Sequence, residues 1–212
     1  LKNKNDINIQ KNPLFIQIPI ISNSEKNTIT KNYFETLDQI VSKLTLNQKL
    51  VISTVLSNDL YPPNLDVIEK INNIEYYNNT FSNIYKKIKD GEVIDNSIIS
   101  SLPFGAHKTF FEANNCVLKS EKIQSNWTHC KELLTKARSL DALPWRVIEQ
   151  INTEIRQIKN ERVIVVDPAN KLPFKKKEYL GYFLDFQHPS IKGHFVIADE
   201  IIKALSLPEK NI

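Results

Sequence analysis

Leu184-Asp185-Phe186-Gln187-His188-Pro189-Ser190-Ile191-Lys192-Gly193-His194-Phe195-Val196-Ile197-Ala198 is the stretch that decides the fold. An acid and a histidine stand at positions i and i+3 in it, close enough for a tight turn to bring them together. Pro189 suits the first position of a helix, because its fixed φ is helical and its missing N–H has no partner to lose there. Phe195, Ile197, Ala198, Ile201, Ile202 and Leu205 follow at helical spacing and are expected to face a core. Asp185 and His188 are thus expected on a loop at the rim of a domain, braced by a helix. Loops fixed by a scaffold often carry catalytic groups.

A neutral imidazole accepts a proton near pH 7, and it works best when a carboxylate holds one ring N–H and fixes the tautomer. A turn that pairs Asp185 with one ring nitrogen of His188 leaves the other facing outward, toward a hydroxyl nucleophile. From these two residues alone the alternative is a histidine that caps a helix beside a solvated acid.

The motif Asp185-x-x-His188-Pro189-x-x-x-Gly193-His194, followed by Ile197-Ala198 and a last amphipathic helix, resembles the closing motif of the SGNH (GDSL-type) hydrolases. The resemblance implies a Ser-His-Asp triad for ester hydrolysis, with Asp185 as orienting acid and His188 as general base. His194 is expected to pack at the helix start. Further upstream, Thr54-Val55-Leu56-Ser57-Asn58-Asp59-Leu60 with Pro62-Pro63, Ala137 to Arg146, and Ile151-Asn152 before a strand ending Val166-Asp167 resemble a subgroup of these hydrolases that carries tetratricopeptide-like helices.

That likeness implies an α/β fold: a parallel-sheet, three-layer SGNH-like (flavodoxin-like) domain with a helical insertion and its N-terminal strands missing from this chain. The family's Gly-Asp-Ser motif does not occur in the sequence. The seryl nucleophile is therefore expected from an upstream segment or a second chain that completes the domain. Ile21-Ser22-Asn23-Ser24 stands where the family has its oxyanion asparagine, which makes Asn23 either the side-chain oxyanion donor or a turn residue. Asn58 is expected to be a turn former. Arg146 and Asn152 are open between lining a pocket and serving as a helix-start salt bridge and a surface amide. The chemistry needs no metal and no organic cofactor.

Residues 1–12 read as a linker or disordered start. The apolar run Leu14–Ile21 is expected to be a strand, Ser22–Asn27 to turn the chain, residues 31–45 to form an amphipathic helix, and Leu50–Leu56 a second buried strand. Strand, helix and strand in succession make a βαβ unit with parallel strands. Residues 66–140 carry helical spacings and few strand signals, and are expected to be a helical subdomain of three or four helices, with a tetratricopeptide-like hairpin from Lys108 to Ala137. The α/β domain then comprises 13–65 and 141–212, with a helix over Val147–Ile158, a strand over Arg162–Asp167 and the closing motif.

The chain has 212 residues, 25% of them charged, and a net charge of +4. Scattered charge of this size does not point to nucleic acid, and Lys175-Lys176-Lys177 reads as a solvated surface. No run is long enough to span a membrane. Cys116 and Cys130 form no metal-type spacing and are expected to be small, buried, reduced side chains in helices, which fits a cytoplasmic location. The chain contains no methionine, so an upstream signal segment could have been removed. The expected partner is an ester-containing small molecule, lipid or glycan. Two alternatives stand beside hydrolysis: a non-catalytic SGNH-like binding or scaffold protein using its helices, and an O-acyltransferase on the same fold.

Overall fold

Ser22-Asn23-Ser24-Glu25 starts the first helix. The Ser22 hydroxyl accepts from the Glu25 N–H at 3.2 Å, and the Glu25 carboxylate accepts from the Ser22 N–H at 2.7 Å. This reciprocal capping box satisfies donors that a bare helix end would leave open. Helix α1 therefore spans Asn23–Ser42, and the segment expected to turn the chain is its opening turn.

The computed structural model describes residues 21–64, 74–123, 127–142, 146–173 and 176–206. After α1 come β1 (Leu50–Ser53), α2 (Ile74–Lys89), α3 (Asn96–Ser100), α4 (Ala106–Ile123), α5 (Trp127–Leu140), α6 (Glu149–Arg156), β2 (Val163–Val166), a 3₁₀ turn (Pro168–Asn170), α7 (Lys176–Leu180) and α8 (Ile191–Ser206). The described residues are mostly helical, with one small parallel sheet of two strands. The linker expected at 1–12 lies outside the described residues, as does the strand expected over Leu14–Ile21 except for Ile21. The described residues divide into two compact units, one drawn from those within 22–58 and 146–206, the other from Ile21 and those within 59–142.

In the α/β unit, β1 and β2 pair in parallel register from Leu50↔Val163 to Ser53↔Val166. Both strands are short β-branched runs, the composition that fits a pleated, packed surface. Leu37 and Val41 of α1, Ile52 of β1 and Ile155 of α6 form the buried cluster, flanked by Phe34, Leu44, Ile151 and Val165. The strand expected to reach Leu56 stops at Ser53. The side chain of Asn152 takes over both backbone groups of Val55, accepting from its N–H at 2.8 Å and donating to its carbonyl at 3.0 Å. An amide from α6 thus replaces the ladder.

Helix α8 does not begin at Pro189. Ser190 caps it, its hydroxyl accepting from the Gly193 N–H at 3.3 Å and its carbonyl from the His194 N–H at 2.9 Å. Pro189 stays outside, bridged to Phe183. Nor does the whole apolar stripe face a core. Val196, Ile197 and Ile201 are half-buried, while Phe195, Ile202 and Leu205 are 69%, 61% and 61% exposed. At 3.6 residues per turn Phe195 and Ile202 fall on the side away from Ile197, while Leu205 follows Ile201 by one turn at the end of the helix. A helix apolar on both sides is normally covered on both.

The helical unit has a closed interior. Phe81 and Ile84 of α2 pack with Phe110, Phe111, Ala113 and Val117 of α4 and Leu134 and Ala137 of α5, all buried. Asn115 holds the Ile94 backbone as Asn152 holds Val55, accepting from its N–H at 2.8 Å and donating to its carbonyl at 2.6 Å. The cysteines expected to be reduced are instead bonded to each other, Cys116 on α4 to Cys130 on α5 with Cα atoms 5.4 Å apart. The hairpin sets the two side chains face to face at a separation that a disulfide spans without backbone movement.

Candidate functional site

Asp185 opens a tight turn. One of its carboxylate oxygens accepts from the N–H groups of Gln187 and His188, both at 2.9 Å. The other lies 2.7 Å from Nδ1 of the His188 ring. A carboxylate that receives two backbone donors and a ring N–H is stabilised as the anion. The backbone donors of Gln187 and His188 contribute most, the His188 ring adds to them, and together they lower the Asp185 pKa to about 2. The acid is therefore ionised throughout the neutral range.

The same turn settles the imidazole. With Nδ1 against the carboxylate, Nε2 makes no hydrogen bond among the described residues and is left to take a proton. The His188 side chain is 62% exposed and that of Asp185 39%, so the pair sits at the surface. The Phe186 ring stands edge-on to the imidazole at 6.4 Å. The Leu184 N–H donates to the His188 carbonyl at 2.8 Å and the Ser190 N–H to the Tyr182 carbonyl at 2.8 Å, which closes the loop onto itself. Gly193 is required beneath it: a Cβ there would run into the Tyr182 carbonyl oxygen and lie 2.8 Å from Cβ of Pro189. The motif's glycine lets the start of α8 press against the turn.

The loop also rests on the chain that leaves β1. Asn58, expected to be a turn former, is buried and donates through Nδ2 to the Asp185 carbonyl at 3.0 Å, while its backbone N–H donates to the Phe186 carbonyl at 3.3 Å. Arg146 is likewise buried and donates to the Asn58 carbonyl at 3.2 Å. Asn152 is also buried and is not the surface amide that sequence allowed. Tyr179 donates its hydroxyl to the Ser57 carbonyl at 2.6 Å. These partners lie about a hundred residues away in sequence, and no local pattern announces them.

At the C-terminal ends of the two strands, Thr54 donates to Asp167 at 2.7 Å and Arg156 grips the same carboxylate from 2.9 Å. Burial pushes the Asp167 carboxyl up, but the hydrogen bonds from Arg156 and Thr54 outweigh it and hold the pKa below its ordinary value. This network ties α6 to the strand ends and does not reach the Asp185–His188 pair through any described bond.

Asn23 lies in the first turn of α1 with its side chain exposed. His194, expected to pack, is exposed on α8. The serines are placed elsewhere: Ser22 caps α1, Ser57 is buried, and Ser190 caps α8. Among the described residues no hydroxyl is hydrogen-bonded to His188, and no three His, Cys, Asp or Glu side chains converge as metal ligands. No described helix is long and apolar enough to cross a membrane. Two cavities of about 550 and 400 Å³ open in the helical unit, one beside Lys87 and Glu92, the other beside Cys116 and His129, and neither includes the acid–imidazole pair. Comparison with protein-family models, with curated proteins and with solved structures yields no match.

Proposed function

We propose that this chain carries the His-Asp part of a serine ester hydrolase of SGNH type. The observation that carries the proposal is the 2.7 Å contact between Asp185 and His188 Nδ1, in an imidazole whose side chain is 62% exposed and whose Nε2 makes no hydrogen bond among the described residues. His188 takes the proton of a seryl hydroxyl as that oxygen attacks the ester carbonyl, then returns it to the departing alcohol. Water repeats the sequence on the acyl-enzyme. Asp185 keeps the imidazole in the Nδ1–H tautomer. Asn23, exposed at the start of α1, is assigned as side-chain donor to the oxyanion.

In this reading β1 and β2 belong to a three-layer SGNH-like domain, the helical unit is its insertion, and the serine comes from an upstream segment or from another chain. The exposed side of α8, with Phe195, Ile202 and Leu205, supports a further layer of protein over it. The substrate is an ester of a small molecule, lipid or glycan, and O-acyl transfer follows on the same residues if a hydroxyl replaces water. The Cys116–Cys130 bond favours an oxidising compartment over the cytoplasm expected from sequence.

A non-catalytic scaffold is the second reading, favoured by the lack of any described hydroxyl at His188. A serine-directed fluorophosphonate probe, applied to the full-length protein together with any chain that completes it, separates the two. Hydrolase chemistry gives covalent labelling that His188→Ala abolishes; a protein that never labels, or labels equally without the imidazole, is a scaffold.

A further inference from the structure

We infer that Asn58 is the positioning residue of the Asp185–His188 pair, a role that rests on the hydrolase reading for its consequence and on geometry alone for its existence. The Asp185 carbonyl accepts from Asn58 Nδ2 at 3.0 Å, and the next carbonyl, that of Phe186, accepts from the Asn58 N–H at 3.3 Å. One buried residue therefore holds two consecutive peptide planes. A trans peptide is rigid, with its C=O and N–H pointing in opposite directions. Fixing the Phe186 carbonyl aims the N–H of Gln187, in the same plane, back at the Asp185 carboxylate, where it donates at 2.9 Å. Fixing the Asp185 carbonyl sets the peptide from which that side chain departs.

Two features separate this role from ordinary loop packing. Asn58 Oδ1 is buried with no hydrogen-bond partner among the described residues, so the amide serves as a donor and not as a group satisfied at both ends. Its own carbonyl is fixed by Arg146 at 3.2 Å, which makes the donor a fixed point. Removing the amide frees the Asp185 peptide plane while leaving the backbone bond to Phe186 in place.

The test compares Asn58→Ala with Tyr179→Phe, which deletes a bond to the neighbouring Ser57 carbonyl without touching Asp185. The readout is the titration of the Asp185 carboxyl carbon by NMR. Asn58→Ala is expected to move the midpoint part of the way from about 2 toward the ordinary 3.8, because the backbone bond that aims the Gln187 N–H survives the substitution, while Tyr179→Phe leaves it in place. In the complete enzyme, fluorophosphonate labelling falls on the order of ten- to a hundred-fold in the first variant, the scale of a displaced catalytic group. An unmoved midpoint, or equal shifts in both variants, overturns the proposal. If Asn58→Ala does not fold, scalar coupling across the hydrogen bond from Asn58 Nδ2 to the Asp185 carbonyl carbon decides in the unaltered protein: its presence supports the role and its absence ends it. Labelling that is indifferent to His188→Ala sinks the hydrolase reading, yet a midpoint that rises only in Asn58→Ala still upholds the positioning.

Discussion

Two acid–base pairs in this molecule share one distance and differ in everything else. In the helical unit Arg138 Nε lies 2.7 Å from an oxygen of Asp59, both side chains almost wholly buried at 4% and 7% exposure. In the α/β unit His188 Nδ1 lies 2.7 Å from Asp185, with 62% and 39% of the side chains exposed. The first pair is removed from water, so neither charge tolerates the loss of the other. The second stays in water, where an ion pair contributes little to stability, and its imidazole has a nitrogen to spare. Burial makes the first pair a brace. Exposure leaves the second available for chemistry.

That contrast can be broken at several points. The largest effect is expected from Arg138→Ala, which removes the guanidinium 2.7 Å from the buried Asp59 carboxylate and lowers stability by about 3–5 kcal/mol in urea unfolding; a negligible loss would place the pair in water after all. Opening the Cys116–Cys130 staple by replacing both cysteines with serine is expected to cost about 2–4 kcal/mol by the same measurement, and the intact protein should show no thiol reactive with Ellman's reagent before reduction. On the exposed side of α8, Phe195→Ser should change the unfolding free energy of this chain alone by no more than about 0.5 kcal/mol, because the ring lies largely in solvent there; a larger loss is expected only where the further layer of protein proposed over α8 is present.

The smallest stability change belongs to the Asp185 turn, where pH is the sharper tool. The folded pKa of about 2 lies below the ordinary 3.8. The turn's contribution is therefore fully present above pH 3.8 and is lost as pH falls through about 2. The amides of Gln187 and His188 should shift with a midpoint near 2 in an NMR titration, and Asp185→Asn should remove that transition while lowering the urea midpoint only slightly.

What could be read from the chain follows the range of the interactions. Asp185 and His188 meet because three residues of sequence suffice for a turn, and Val51-Ile52 and Val163 to Val166 declare strands by composition alone. The start of α1 was legible in Ser22 and Glu25 as a capping box, a local signal stronger than the apolar spacing that suggested a later start. Helical spacing found α8 but not which side would be covered, since Phe195 and Ile197 are equally apolar and only the neighbouring elements choose between them. Asn58, Arg146 and Asn152 resemble ordinary loop and surface residues until partners on distant elements come within reach. The two cysteines required the facing of two helices, a fact of packing.

The central claim is that Asp185 fixes His188 with Nε2 free to accept a proton. It is tested most directly by the ¹⁵N spectrum of the neutral His188 ring. The arrangement predicts the Nδ1–H tautomer, with an unprotonated Nε2 and loss of that preference in Asp185→Asn. An Nε2–H tautomer in the unaltered protein, or the same spectrum with and without the carboxylate, would contradict it.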